Sequence, residues 1–308
     1  MDASGDVIDV AHPFWWGVKE TMRRGRALAA LARRVGRHEL AVVKRVTFDE
    51  RWPDSWKYSY PYDLEEVYGE ITHRGYAYAY DNRRRQTLDL LTAVLPPGAR
   101  ILDIAAAQGN FSLALAEQGY DVTWNDLRAD LAGYVRLKHE RGAVTYAPGN
   151  AFELALAPFD AVLITEVIEH VAHPDAFLAN AARLVRPGGY VVVSTPNGAY
   201  VRNTLPRFSD CPDPSVYESA QFQPDSDGHI FLLHPEELAL LASRAGLQVD
   251  ALRLFTNPLT NGHLKLGALL RVLPRRVVRA IEWASQRLPG PVRRRLLLQM
   301  AARLRKPA

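Results

Sequence analysis

Cysteine is nearly absent, with one residue, Cys211, in 308. That excludes an internal disulfide and any metal site made of cysteine alone, and it fits a reducing compartment such as the cytoplasm. Long apolar runs are missing too. None approaches the roughly 18 residues that a membrane-spanning helix needs. The first residues, MDASGDVIDV, are acidic and lack the basic-then-apolar order of an export signal. No segment repeats. Acidic side chains are scarce at the two ends: residues 1–46 carry 9 basic and 5 acidic groups, residues 47–270 carry 18 and 28, and residues 271–308 carry 11 and 1. The net charge of +4 is thus an acidic body between basic ends. Such a body argues against gripping the phosphate backbone of a nucleic acid.

What the chain does have is order in its middle. The stretch ILDIAAAQGNFS, residues 101–112, runs from an apolar strand into Asp103, then through small residues (Ala105, Ala106, Ala107, Gly109) into a helical pattern. Small residues there let a ligand approach the backbone. A second strand ends in Asn125 and Asp126, about twenty residues on, the spacing at which a carboxylate reaches ribose hydroxyls in nucleotide-binding βαβ units. Strands are expected near 100–104, 121–125, 143–147, 159–165, 189–195 and 247–254, with helices between them, the first over about 83–95. This alternation predicts an α/β fold, a mostly parallel sheet with helices on both faces. Ligands of such sheets sit at the carboxyl ends of the strands, where Asp103, Asp126, Asn150 and Glu166 fall.

The flanks read differently. Residues 14–46 show the periodicity of basic amphipathic helices. An aromatic-rich segment from Trp52 to Tyr80 precedes the first strand as a cap, suited either to stacking on a substrate or to fastening the cap. Residues 197–228 read as a long loop. Basic helices are expected near 271–287 and 291–305. On the first, Val277, Val278, Ile281, Ala284 and Leu288 share a side, and on the second Leu296, Leu297 and Met300 follow three arginines. That is the pattern of helices lying on an anionic membrane surface, such as the inner face of the membrane. Packing against the acidic body is the alternative. The division is therefore a cap and arm (1–82), a central domain (83–270) and basic C-terminal helices (271–308).

In order, D-x-A-x-A-x-G, N-D-L, G-N-A, F-D-x-V-x-x-x-E-V-I-E-H-V, R-P-G-G and S-T-P-N resemble the class I S-adenosylmethionine-dependent methyltransferases, which have a Rossmann-like fold. The branch most similar holds the ubiquinone-biosynthesis O-methyltransferases and many sugar and natural-product methyltransferases, over roughly residues 85–255. The resemblance implies S-adenosylmethionine as cofactor. It places Asp126 on the ribose, Asn150 and Ala151 at the adenine, the Asp103–Gly109 loop with Ala105 at the methionine end, and Leu127 and Glu166 among the cofactor-binding residues. Ala105 and Ala107 stand where the family has glycine, and Asn150 where it has aspartate.

An oxygen acceptor needs its proton removed by a base or its charge met by a metal. His170 and His229 are the candidate bases, since histidine exchanges protons near neutral pH. E-V-I-E-H with the later D-G-H-x-F is also similar to the small-RNA 2′-O-methyltransferases. That second resemblance implies Glu166, Glu169, His170 and His229 as ligands of Mg²⁺ or Mn²⁺. The sequence is thus expected to O-methylate a small-molecule acceptor, a sugar, glycolipid or natural product. A metal-dependent RNA 2′-O-methyltransferase and a catalytically silent binding module are the alternatives.

Overall fold

The computed structural model describes residues 43–70, 73–221, 228–261, 264 and 267–308. The arm expected over 14–46 lies outside the described residues except for 43–46, where Val43 and Val46 are buried in chain without regular secondary structure. The strands are β1 (Arg100–Ile104), β2 (Asp121–Trp124), β3 (Ala143–Tyr146), β4 (Phe159–Thr165), β5 (Val185–Pro196), β6 (Gln248–Phe255) and β7 (Gln299–Arg305). The helices are α1 (Asp54–Glu66), α2 (Arg74–Thr92), α3 (Asn110–Ala116), α4 (Leu131–Lys138), α5 (Pro174–Arg183), α6 (Pro235–Arg244), α7 (Gly267–Val272), α8 (Arg275–Ser285) and α9 (Gly290–Leu296). No helix among the described residues is long and apolar enough to cross a membrane.

One sheet runs β3-β2-β1-β4-β5-β7-β6, with β7 antiparallel to both its neighbours. Alternation along the strands builds a core on each face. Leu102, Ile104, Val162, Ile164, Val191 and Val193 pack with Leu178, Leu238 and Leu241. Ile101, Ala161, Leu163 and Val192 face the other way, onto Leu88, Leu91 and Leu115. Period-2 patterning covered on both sides is what a buried parallel sheet requires. β1 pairs with β2 on one side and β4 on the other, so the chain winds outward in both directions from this pair. The crevice beyond its carboxyl ends is the natural ligand position.

Two expectations need correction. Residues 299–305 are a strand and not the end of a helix. Met300, Ala302 and Leu304 enter one core and Ala301 the other, an alternation that the small alanines conceal from a helix-period reading. The partition at residue 271 accordingly fails, because the last strand completes the sheet. At the other end, α2 begins at Arg74, across the expected boundary at 83.

The cap is mostly fastened to the core. Trp52 meets Trp56 and Tyr60 edge to face, and both tryptophans reach the buried Tyr134 of α4 at 5.7 Å between ring centroids. Tyr80 packs on Phe111. Tyr58 and Tyr62 stay exposed, their hydroxyls 3.2 Å apart.

Candidate active site

The loop after β1 has left-handed backbone at alternate residues, Ala105 (φ 53°), Ala107 (φ 46°) and Gly109 (φ 72°). Alanine adopts this conformation at a cost of about 1–2 kcal/mol, which the loop's hydrogen bonds offset. Ala106 N–H donates to Asn125 O at 2.8 Å, Gly109 N–H to Ala106 O at 2.8 Å, and Trp124 Nε1–H to Ala107 O at 3.0 Å. Position 109 tolerates only glycine, since a Cβ there would lie 2.7 Å from Val135 Cγ1.

Asp126 is 3% exposed and caps this loop, its Oδ2 accepting from Ala107 N–H at 2.9 Å. The same carboxylate accepts from Arg128 N–H and Nε at 2.9 Å and from Nη2 at 3.1 Å. Asp103 lies beneath, also buried. Ser112 donates to its Oδ2 at 2.6 Å, and Oδ1 has no hydrogen-bond partner. Burial, against the Ser112 bond and with Asp126 adding to it, pushes the Asp103 carboxyl up to about 7.

A cleft of about 250 Å³ opens beside these groups, lined among others by Ala105, Leu127, Asn150, Ala151, Val167 and Phe177. It falls below the roughly 300–1,000 Å³ of pockets for drug-sized ligands, a match for the nucleoside part of a cofactor. Leu127, 55% exposed, offers an apolar face for a ring. Asn150 lines the cleft, but Glu153 and the Phe152 N–H already bond its amide. Asn125, to which the motif reading gives no role, donates to Ala147 O and Gly149 O and fixes this wall.

At the end of β4, Glu166 has left-handed backbone (φ 53°). Its oxygens accept from Ser194 Oγ at 3.0 Å and from Arg83 Nη1 at 3.1 Å. Burial works against the Arg83 charge, yet Glu166 and Glu66 beside it outweigh burial and hold the guanidinium above its usual range. Glu169 points elsewhere. It is buried, accepts from Thr195 Oγ1 at 2.9 Å, and leaves Oε1 without a partner. Burial first, and then the Glu166 charge, push its carboxyl well up.

His229 lies beside His170, the two rings 4.9 Å apart, edge to face. Ile230 N–H donates to Glu169 O at 2.7 Å and holds the return. Ligand atoms of Glu169, His170 and His229 all lie within 4.8 Å of one another. Glu166, expected as a fourth metal ligand, is not in this group, because Arg83 and Ser194 take its oxygens.

Behind the loop, α1 sends Asp63 and Glu66 inward. Asn110 Nδ2 bonds both, at 2.8 and 2.9 Å, and Gln108 Nε2 reaches Glu66 at 3.2 Å. Asp63 is paired with Lys138 at 2.6 Å, both side chains 0% exposed. The cap is thereby tied to the loop at residues 108 and 110.

The chain resembles known proteins over the same region. Residues 74–252 match the family model described as a methyltransferase domain. A ubiquinone biosynthesis O-methyltransferase of Xylella fastidiosa is 34% identical over 169 residues, 53% of this chain and 67% of that protein. Another, of Thiobacillus denitrificans, is 34% identical over 181 residues, 53% and 71%. The chain thus spans about two thirds of the length of these relatives. A solved structure of a candidate sarcosine dimethylglycine methyltransferase from Galdieria sulphuraria shares the fold, with a TM-score of 0.50 and 15% identity over 83% of this chain and 99% of that one. The chain belongs to the methyltransferase domain family and is a class I S-adenosylmethionine-dependent methyltransferase.

Proposed function

We propose that this chain methylates a hydroxyl oxygen of a sugar, glycolipid or natural-product acceptor. The observation that carries the reading is the His170–His229 pair at the carboxyl end of β4, next to the nucleoside-sized cleft. The O-methyltransferase relatives support oxygen as the acceptor atom. S-adenosylmethionine supplies a methyl group on a sulfonium, which an acceptor displaces in line. Asp126 would hold its ribose hydroxyls, Leu127, Asn150 and Ala151 its adenine, and the Asp103–Gly109 loop its methionine end, with Glu166 at the rim. Holding acceptor and donor at near-attack distance supplies much of the acceleration.

His170 is the better-placed base. Its Nδ1 lies 3.3 Å from Gly228 O, and since a carbonyl only accepts, Nδ1 carries the proton and Nε2 is left bare to take one from the acceptor hydroxyl.

The cofactor roles are testable by calorimetry with S-adenosylhomocysteine. Asp126→Ala should weaken binding by about 1.5–3 kcal/mol, the range for hydrogen bonds to a charged group. Arg128 competes for the same carboxylate, so Arg128→Gln should tighten binding. Equal affinity in Asp126→Ala and parent would remove Asp126 from the site.

Asp103 adds a pH dependence. Its folded value, about 7, exceeds the ordinary 3.8, so the folded chain holds this proton more tightly. Its contribution to stability is full below about pH 4 and is lost as pH rises to about 7. A ligand ammonium at the methionine end prefers the ionised acid. S-adenosylhomocysteine affinity should therefore rise with pH up to about 7 and level off above it, and Asp103→Asn should flatten the profile.

A second reading rests on the Glu169, His170 and His229 cluster. Two imidazoles and a carboxylate suit a divalent cation, and the orphaned Glu169 Oε1 is a vacant donor. A cation there would have to overcome the burial that favours protonated Glu169. The metal would meet the charge developing on the acceptor oxygen. Activity that tracks added Mg²⁺ or Mn²⁺ and disappears with chelator would replace the histidine base by this reading.

A further inference from the structure

We propose that the outward face of α8 docks on a bilayer surface carrying anionic lipid, bringing the catalytic end of the sheet against the membrane. Topology sets the location. Phe255, the last residue of β6, and Gln299, the first of β7, are paired, and Gln299 also pairs with Pro196 at the carboxyl end of β5. Residues 256–298 therefore leave and rejoin the sheet at the end where Glu166 and His170 lie. Asn197, next after Pro196, fastens this insertion with bonds from its Nδ2 to Arg294 O at 2.8 Å and Leu297 O at 2.7 Å.

The face presented outward is not the one that the apolar spacing suggests. Val278, Glu282 and Ser285 are buried against the fold, and Ile281 and Leu288 are half-buried. The opposite stripe, Arg276, Ala280, Trp283 and Arg287, is exposed, flanked by Arg275 and Arg279. Trp283 is 59% exposed, with the Arg287 guanidinium 3.5 Å over its ring. Val272, at 76%, with Leu269 and Val277, adds bare apolar surface.

Charge selects the partner. Residues 267–298 hold eight arginines and one acid, Glu282, which is turned inward to Asn257 N–H and Thr260. Among the described residues, none of Arg271, Arg275, Arg276 and Arg279 forms an ion pair. Arginines around an exposed tryptophan and aliphatic side chains suit the head-group layer, where the guanidinium ions meet phosphates and the apolar groups enter the acyl boundary. A phosphate backbone would engage the arginines and leave Val272, Leu269 and Val277 in water.

The test is cosedimentation of the full chain with phosphatidylcholine vesicles, with and without phosphatidylglycerol. Binding should require phosphatidylglycerol and weaken with salt. At about fivefold per arginine, Arg275→Gln, Arg276→Gln and Arg279→Gln together should weaken it about a hundredfold. Trp283→Ser should weaken it without changing the salt dependence. S-adenosylhomocysteine affinity, unchanged in both variants, reports that the fold is intact and tests the cofactor site separately. Equal binding by variant and parent, binding indifferent to phosphatidylglycerol, or tighter binding of single-stranded RNA at the same salt would overturn the proposal.

Discussion

His170→Ala is expected to lower turnover on an oxygen acceptor by about two to four orders of magnitude, with S-adenosylhomocysteine affinity within about twofold of the parent. The asymmetry follows from the geometry. His170 and His229 lie beyond the end of β4 and are not among the cleft-lining residues, so removing an imidazole leaves the nucleoside contacts in place. The Nδ1 bond to Gly228 O orients the ring, so His170→Gln, which keeps a polar group of similar reach but cannot take the proton, should be nearly as impaired as alanine. His229→Ala should have a smaller effect, because its ring packs against the edge of His170 and steadies it. The pH–rate profile separates the roles. The limb belonging to the base vanishes in His170→Ala and is retained in His229→Ala. Comparable turnover in all three variants would leave proximity of donor and acceptor as the whole catalytic effect.

The central strands and the strand-end acids were legible because two periodicities and a set of turn residues all point the same way. Asp103, Asp126 and Glu166 fall at the ends of β1, β2 and β4 as their spacing predicts. What escaped reading was non-local. Arg83 in α2 looks like one of three consecutive arginines, and only the fold aims it at Glu166. Asn125 reads only as the end of a strand, yet it holds Ala147 and Gly149 by their carbonyls. β7 was hidden because QMAARLR has helix-forming residues throughout, and burial on both faces overrides propensity. The alanines at 105 and 107 stand where the family has glycine, and their consequence in the fold is strained backbone held by β2 and Asp126.

The buried pair that joins the cap to the loop should dominate stability. Asp63→Ala is expected to cost about 3–5 kcal/mol in urea denaturation, the range for removing one partner of a buried pair. Lys138 has no solvent to turn to, as its side chain is 0% exposed. Burial draws its amine down from the ordinary range, and the Asp63 charge opposes that. Tyr134 loses an acceptor at 2.7 Å and Asn110 one at 2.8 Å in the same change. Replacing both ions with apolar residues of similar volume, Asp63→Leu with Lys138→Met, should recover the part of the loss due to the uncompensated charge, while Tyr134 and Asn110 stay without their Asp63 acceptor. The double variant should nevertheless bind S-adenosylhomocysteine more weakly than the parent. Asn110 would keep only its bond to Glu66, and it follows Gly109 directly, so the loop at the methionine end loses a tether. A single variant within about 1 kcal/mol of the parent would mean that water reaches Lys138, and the cap would then be a loosely attached cover and not part of the loop's support.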